Sequence, residues 1–172
     1  TDSASKVPLD VGMGNAAAND AEVRSVEKCL ELAEMIIHRS IRLQAKAGAK
    51  AVCICEPAAN KVYISPMQIE AGSDIFDRYV MQPNRRLRAL FTELGIDLIF
   101  HDCGELIDMM VEQFGTLDPA VMSLGSSRCL WEDARLVPKS TVLFGNLPTK
   151  RFYDDALINP QQVEKMACEL ID

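Results

Sequence analysis

The chain has 172 residues, of which 48% are hydrophobic and 25% are charged, and this composition is typical of one globular domain with a packed core. Its net charge of -7 disfavours nucleic acid and anionic membranes as partners, because binding to phosphate groups requires a basic face. No run of about 18 apolar residues occurs, and residues 1–10 lack the features of a signal peptide, so we expect a cytoplasmic protein. The six cysteines are irregularly spaced, which predicts reduced thiols.

Long helical patterns alternate along the chain with short, β-branched apolar runs that end in polar or glycine-containing loops. Asp20 resembles the N-cap of a first long helix, which Gly48 ends. Ser65 and Pro66 predict the start of a second helical stretch, which Pro83 should break or kink before it resumes. Strand-type runs stand, in chain order, at residues 8–13 (the weakest), 51–55, 96–100, 120–124 and 141–144.

This alternation is the signature of βα units and a parallel sheet. A further helix is predicted to end near Phe114, and Asn159 with Pro160 caps the terminal helix. About five βα units are fewer than the eight of a closed (β/α)8 barrel, which usually needs about 250 residues. The predicted fold class is therefore α/β, with residues 1–172 as a single domain. That domain is part of a barrel, a sheet completed by a second copy, or a smaller open α/β fold.

Two residue types that bind metals follow the run at 96–100. His101 and Cys103 are two residues apart, so the period of two in a strand points their side chains to one side and Asp102 to the other. In a parallel barrel this end of the strands carries the active site, and an imidazole with a thiolate is a typical partial shell for Zn²⁺. The pair indicates a zinc site, and a core histidine beside a buried thiol is the alternative.

The end of the preceding run supplies two more candidates. Cys55 and Glu56 close the run at 51–55 and could face the same mouth as His101. Cys55 is therefore a candidate third metal ligand and Glu56 a candidate catalytic carboxylate. Packing of the thiol and solvation of the carboxylate are the alternative interpretations.

The loops after the last two runs offer polar groups to a substrate. The hydroxyls of Ser123 and Ser126 could hold an anionic or polar group, although ordinary turn chemistry accounts for them as well. Gly145 permits a close backbone approach to a ligand, and Asn146 supplies both a donor and an acceptor. The predicted substrate-binding residues are Ser123, Ser126, Gly145 and Asn146, and Asn146 is also a candidate catalytic residue.

Three short segments, in their order along the chain, carry a likeness to a known family. They are residues 64–66 (ISP), 99–104 (IFHDCG) and 144–148 (FGNLP), and they resemble the uroporphyrinogen decarboxylase superfamily. The resemblance runs from about Glu22 to the carboxyl end. Because the superfamily's fold is a (β/α)8 barrel about twice this length, the resemblance implies the carboxyl-terminal portion of that barrel, incomplete at both ends.

The superfamily has two branches with different chemistry. In the methyltransferase branch an H-x-C pair and a further cysteine bind zinc, which holds a substrate thiol for attack on the methyl group of a corrinoid protein. The resemblance thus implies zinc on His101 and Cys103, with the further cysteine beyond Asp172. A small thiol and a corrinoid protein are the partners it implies. In the decarboxylase branch the substrate is an acidic tetrapyrrole.

This chain departs from the decarboxylase pattern at two places. It has Cys55-Glu56-Pro57 where that branch has an F-D-S-W-like element, and Pro148-Thr149 where that branch has Asp-Pro. The arginine-rich amino-terminal segment of that branch also has no counterpart. We therefore favour a zinc-dependent methyltransferase. The alternatives are uroporphyrinogen decarboxylase and a non-catalytic fragment that forms a homo-oligomer through unclosed sheet edges.

Overall fold

The computed structural model describes residues 11, 20–154 and 156–171. Its centre is one four-stranded sheet in the order β1-β2-β3-β4, in which every neighbouring pair is parallel. The strands are β1 (Ala51–Cys55), β2 (Asp97–Asp102), β3 (Val121–Leu124) and β4 (Val142–Phe144). The predicted α/β class with a parallel sheet is confirmed, and successive strands are neighbours, as in a (β/α)8 barrel.

Helices connect and flank the strands. They are α1 (Ala21–Lys46), α2 (Pro66–Glu70), α3 (Gln82–Leu94), α4 (Asp108–Gly115), α5 (Leu130–Asp133) and α6 (Pro160–Ile171), with a π-helix at Asp77–Met81 and a 3-10 turn at Thr149–Arg151. In the part of the chain that the structure describes, no helix combines the length and apolar character that crossing a membrane requires.

The ends of the long helices follow the predicted local chemistry. The Asp20 carboxylate accepts a hydrogen bond of 2.8 Å from the Glu22 backbone N–H at the start of α1. Gly48, just past the end of α1, has a φ of 100°, which favours glycine. At α6, Asn159 and Gln162 exchange side-chain-to-backbone hydrogen bonds of 2.9 Å, a reciprocal cap. These predicted helix boundaries are confirmed.

The second helical stretch is more broken than the sequence predicts. After Ser65, whose side chain makes no capping hydrogen bond, α2 ends at Glu70, and Gly72 turns the chain with a φ of 85°. The π-helix then runs directly into α3, and Pro83 lies in the first turn of α3, so the helical stretch changes its hydrogen-bonding pattern near Pro83 and does not break there. Of the weak strand candidate at residues 8–13, only Val11 is described, and it is helical; the rest lies outside the described residues.

The two faces of the sheet differ in burial. We call the helix-covered side the covered face; its strand side chains are buried except for the half-buried Ile54 and Leu143, and the buried ones are Val52, Leu98, Phe100, Asp102, Met122 and Leu124. The opposite side is the open face, whose half-buried or exposed side chains are Cys53, Cys55, Ile99, His101, Val121, Ser123, Val142 and Phe144. On the covered face the ring centroids of Phe100 and Phe114 are 4.6 Å apart, which places the core between the sheet and the helices.

Candidate functional site

A row of side chains crosses the open face near the carboxyl ends of the strands. Cys55 is the register partner of His101, His101 of Ser123, and Ser123 of Phe144, so the period of two places all four on the same side. The His101 Nδ1 and Ser123 Oγ atoms are 2.9 Å apart and form a hydrogen bond. This bond orients the imidazole and leaves Nε2 as the atom that can bind a metal ion or a substrate.

Cys103 follows directly after β2 on a tightly held loop. Its side chain is exposed, while Asp102 between it and His101 is fully buried, in agreement with the alternation that the sequence predicts. The Asp102 Oδ1 atom accepts a hydrogen bond of 2.7 Å from the Gly104 N–H. A Cβ atom on Gly125 would lie 2.6 Å from the Cys103 carbonyl oxygen, so only glycine allows this approach of the two loops.

The predicted metal ligands are only partly brought together. Among the described residues, no three His, Cys, Asp or Glu side chains are placed to hold a metal ion. His101, Cys103 and Cys55 therefore lie at the same end of the sheet without forming a three-ligand shell. The Sγ atom of Cys55 contacts the Sγ atom of Cys53 instead, at a distance of 3.9 Å.

Two carboxyl groups, the fully buried Asp102 and the half-buried Glu56, lie on the other side of the sheet. Burial raises the pKa of Asp102 to about 7; the Gly104 N–H opposes this rise and the nearby Glu56 adds to it. Burial also raises the pKa of Glu56, against the hydrogen bond of 3.1 Å that the Asn84 side chain donates to its carboxylate. Asn84 lies on α3, so the structure places the predicted catalytic Glu56 with Asp102 and the helices, apart from the His101 row.

Asp102 is a feature of this pair that sequence reasoning about catalysis missed. The signal was available, because alternation alone places Asp102 on the side of Leu98 and Phe100, where a carboxyl group has to be buried. Its Oδ2 atom is buried and has no hydrogen-bond partner among the residues that the structure describes. A protonated, neutral carboxyl group is the form that such a position favours.

Comparison with known proteins decides the family. The family model described as Uroporphyrinogen decarboxylase (URO-D) matches residues 19–172. The chain belongs to this family. No curated protein and no solved structure matches the chain. The four parallel strands and their helices are thus part of a URO-D (β/α)8 barrel, and the row on the open face lies at the end of the strands where such barrels carry their active sites.

A second polar region of this URO-D chain is a cavity of about 510 Å³ beyond β3 and β4. Two of the predicted substrate-binding residues, Ser126 and Asn146, line it together with Lys150 and Arg151. The Asn146 side-chain nitrogen donates to the backbone oxygens of Gly125 and Arg128, at 2.7 and 2.6 Å. Asn146 therefore ties the two loops together and borders the cavity.

The other two predicted substrate-binding residues have different surroundings. Ser123 belongs to the His101 row through its hydrogen bond to the imidazole. Gly145 has a φ of 118°, and a Cβ atom there would lie 2.9 Å from the Leu124 carbonyl oxygen. The close approach that the sequence predicts at Gly145 is thus an approach to the backbone of β3.

Arg128 is a structural residue of this region that the sequence did not single out. Its guanidinium forms an ion pair with the fully buried Asp133, contacts Asp108 at 2.8 Å and donates to the Leu106 carbonyl oxygen at 3.1 Å. These contacts join the loop after β3 to α4 and α5. No spacing rule would have found them, because they depend on how three separate segments meet.

Proposed function

We propose that this URO-D family chain carries the thiol-activating site of a zinc-dependent methyltransferase. In this proposal His101 and Cys103 bind Zn²⁺, and a small thiol accepts a methyl group from a corrinoid protein. The observation that carries it is the hydrogen bond of 2.9 Å between His101 Nδ1 and Ser123 Oγ at the carboxyl end of the open face. A ligating histidine commonly has its second ring nitrogen held in this way by a neighbouring polar group.

The donor set suits zinc but is incomplete in the described residues. Catalytic zinc sites use three protein ligands and keep one position open, whereas no three metal-binding side chains converge among the described residues. The proposal therefore places the remaining protein ligand outside the described residues. Zinc, when bound, would lower the pKa of the acceptor thiol and keep it nucleophilic at neutral pH.

The residues of the chain have separate tasks in this proposal. Ser123 fixes the ring orientation of His101, and the glycine at position 125 lets the loop that carries Cys103 pack against the loop after β3. In the transfer, the thiolate sulfur bonds to the methyl carbon while the cobalt–carbon bond breaks, and its electron pair stays on cobalt. Zinc held by His101 and Cys103 would keep the acceptor sulfur as a thiolate, and the thiol proton would leave to solvent, because the carboxyl groups of Asp102 and Glu56 lie on the covered side of the sheet.

Charge on the strands supports a thiol substrate over an acidic tetrapyrrole. None of the four described strands contains Lys or Arg, so no strand side chain offers a cation to a substrate carboxylate. Three arginines of the π-helix and α3 are also paired with acidic residues. The pairs are Arg78 with Glu27, Arg85 with Asp77, and Arg86 with Glu34.

One observation favours a second candidate function, decarboxylation of an acidic tetrapyrrole. The cavity beyond β3 and β4 has Lys150 and Arg151 in its wall, and both can bind carboxylates. Carbon dioxide release from a porphyrinogen by the purified chain, lost on replacement of Lys150 and Arg151 by Ala, is the expected result for this candidate. Thioether formation that is unchanged in the same variant is the result expected for the methyltransferase.

The direct test of the methyltransferase uses free methylcobalamin in place of the corrinoid protein, with a small thiol and zinc. We expect thioether product, detected by mass spectrometry, from the unaltered chain and none above the uncatalysed rate from His101→Ala or Cys103→Ser. The matched control is Cys29→Ser, which removes an exposed thiol from α1. Equal product from all variants, or none from the unaltered chain, would overturn the proposal.

Self-association belongs to the same proposal. β1 and β4 are the outer strands of the described sheet, and each leaves one edge unpaired within it. Val142 and Phe144 on β4 expose 60% and 64% of their surface, an apolar contribution that a second copy could cover. Light scattering should show an oligomer, and a stable, compact monomer would remove this part of the proposal.

A further inference from the structure

A pair of thiols stands on the open face of β1, and one of them, Cys55, is the register partner of His101. Cys53 and Cys55 are two residues apart on β1, so both side chains point to the same side of the sheet, and both are exposed. Their Sγ atoms are 3.9 Å apart. Because both thiols are exposed, this pair is accessible to small solutes from solvent.

The distance between the sulfurs matches the bite of a tetrahedral metal ion. Two thiolates that each bind one Zn²⁺ at about 2.3 Å, at the tetrahedral angle, are about 3.8 Å apart. The observed Sγ–Sγ distance of 3.9 Å therefore already fits such an ion, and binding requires no movement of the β1 backbone. A bonded disulfide would need about 2.05 Å between the sulfurs, and all six cysteines are free.

The surroundings of the pair favour a cation over two separate thiolates. Partial burial is the main cause that raises the pKa of Cys53. The neighbouring Cys55 raises it further, through a hydrogen bond and through the repulsion between two negative sulfurs. A divalent ion removes that repulsion: two S–H bonds break, two sulfur–metal bonds form, and two protons leave to solvent. Thiolate ligands select thiophilic ions such as Zn²⁺ and its heavier relative Cd²⁺.

We propose that Cys53 and Cys55 form a dithiolate chelate for one thiophilic divalent cation, separate from the zinc site proposed at His101 and Cys103. The next row toward the other end of the strands offers only Ile99 opposite Cys53, and His101 lies opposite Cys55. No third metal-binding side chain joins the two sulfurs within the described residues. The ion keeps open positions, which water or a small thiol fills.

The test is a titration of the purified chain with Cd²⁺ in a non-thiol reductant, followed by the ultraviolet thiolate-to-cadmium charge-transfer band. The unaltered chain should give this band with release of two protons per ion bound, measured with a pH indicator in weak buffer. Cys53→Ser and Cys55→Ser should each abolish the two-thiolate band. The matched controls Cys29→Ser and Cys168→Ser also remove exposed thiols and should leave it unchanged.

The double variant His101→Ala/Cys103→Ser separates this inference from the proposed function. The band from Cys53 and Cys55 should persist in the double variant, even if thioether formation is lost. A band that survives Cys53→Ser but disappears in the double variant would overturn the chelate and leave the methyltransferase proposal intact. Loss of the band both in Cys53→Ser and in the double variant would show one shared site and would also overturn a separate chelate. An unaltered chain that gives no band at all would overturn it as well. Equal urea midpoints for all variants exclude unfolding as the cause.

Discussion

The two faces of the sheet divide the molecule into a part that holds the fold and a part that carries reactive groups. On the covered face, Phe100 and Met122 are fully buried, and the one polar residue, Asp102, is buried with them. On the open face, two thiols, the His101 imidazole and the Ser123 hydroxyl lie beside apolar side chains such as Ile99. Neighbouring residues of β2 thus alternate between the packed core and the face that carries the reactive groups. Substitutions on the two faces should therefore have different consequences.

The largest expected difference is between two phenylalanines. Phe100→Ala removes a fully buried ring that packs on Phe114, and such changes cost about 3–5 kcal/mol in the free energy of unfolding. Phe144→Ala on the open face removes a ring that is 64% exposed and should change this free energy by no more than about 1 kcal/mol. Urea unfolding of both variants checks the prediction. Similar losses for the two would mean that the faces do not differ in packing.

The pH dependence of stability should report the buried carboxyl group of Asp102. Its pKa of about 7 lies above that of the unfolded chain, so the folded chain keeps a proton that the unfolded chain releases above about pH 4. The free energy of unfolding should therefore fall between about pH 4 and about pH 7, by at most about 4 kcal/mol.

Asp102→Asn should flatten most of this slope, because asparagine stays neutral and can still accept the Gly104 N–H. The raised pKa of Glu56 gives a remaining slope of the same sign. Asp97→Asn, at the exposed start of β2, is the control. The prediction is checked by urea midpoints across this pH range, and an undiminished slope in Asp102→Asn would contradict it.

A buried and an exposed ion pair should also differ. Arg128→Ala leaves the buried carboxylate of Asp133 without its partner, which should cost about 3 kcal/mol. Arg42→Ala breaks a pair with Glu93 in which both side chains are at least half exposed, and it should cost no more than about 1 kcal/mol. Thermal unfolding of the two variants measures the contrast. A cost for Arg128→Ala as small as that for Arg42→Ala would show that the loop after β3 is not pinned by this pair.

The smallest expected effect is on metal affinity. Ser123→Ala removes the hydrogen bond that orients His101, and loss of such a partner weakens zinc binding about 10- to 100-fold. The unfolding midpoint should hardly change, because Ser123 is only half-buried. Competition with a zinc indicator gives the affinity. Ser126→Ala, in the loop after β3, is the control and should bind zinc as the unaltered chain does.

Local chemistry made most of the fold predictable. Asp20, Gly48 and Asn159 set helix ends through hydrogen bonds and backbone conformations that involve only a few neighbouring residues. The break between α2 and α3 was not predictable in the same way. Ile75 and Phe76 lie in this stretch and are buried, so tertiary packing decides the path of the chain there.

The candidate site was predictable in its residue types and only partly in its partners. The period of two correctly separates His101 from Asp102. The sequence identifies Ser123 as a polar candidate in the loop after the next run, whereas the structure places it within β3. Their pairing depends on the register of two strands, which no local pattern encodes. The sequence analysis expected Glu56 to face the same mouth as His101. In the structure its backbone N–H donates to the His101 carbonyl oxygen at 2.9 Å and continues the hydrogen-bonding pattern of β1 and β2. Its side chain therefore points to the covered face.

Equilibrium dialysis against buffered zinc tests the central claim, that the open face carries a metal site which the fold does not need. We expect the double variant His101→Ala/Cys103→Ser to bind one zinc equivalent fewer per chain than the unaltered protein, with its urea midpoint unchanged. Equal zinc content in the two proteins would contradict the claim, and so would a loss of zinc that is accompanied by unfolding of the double variant.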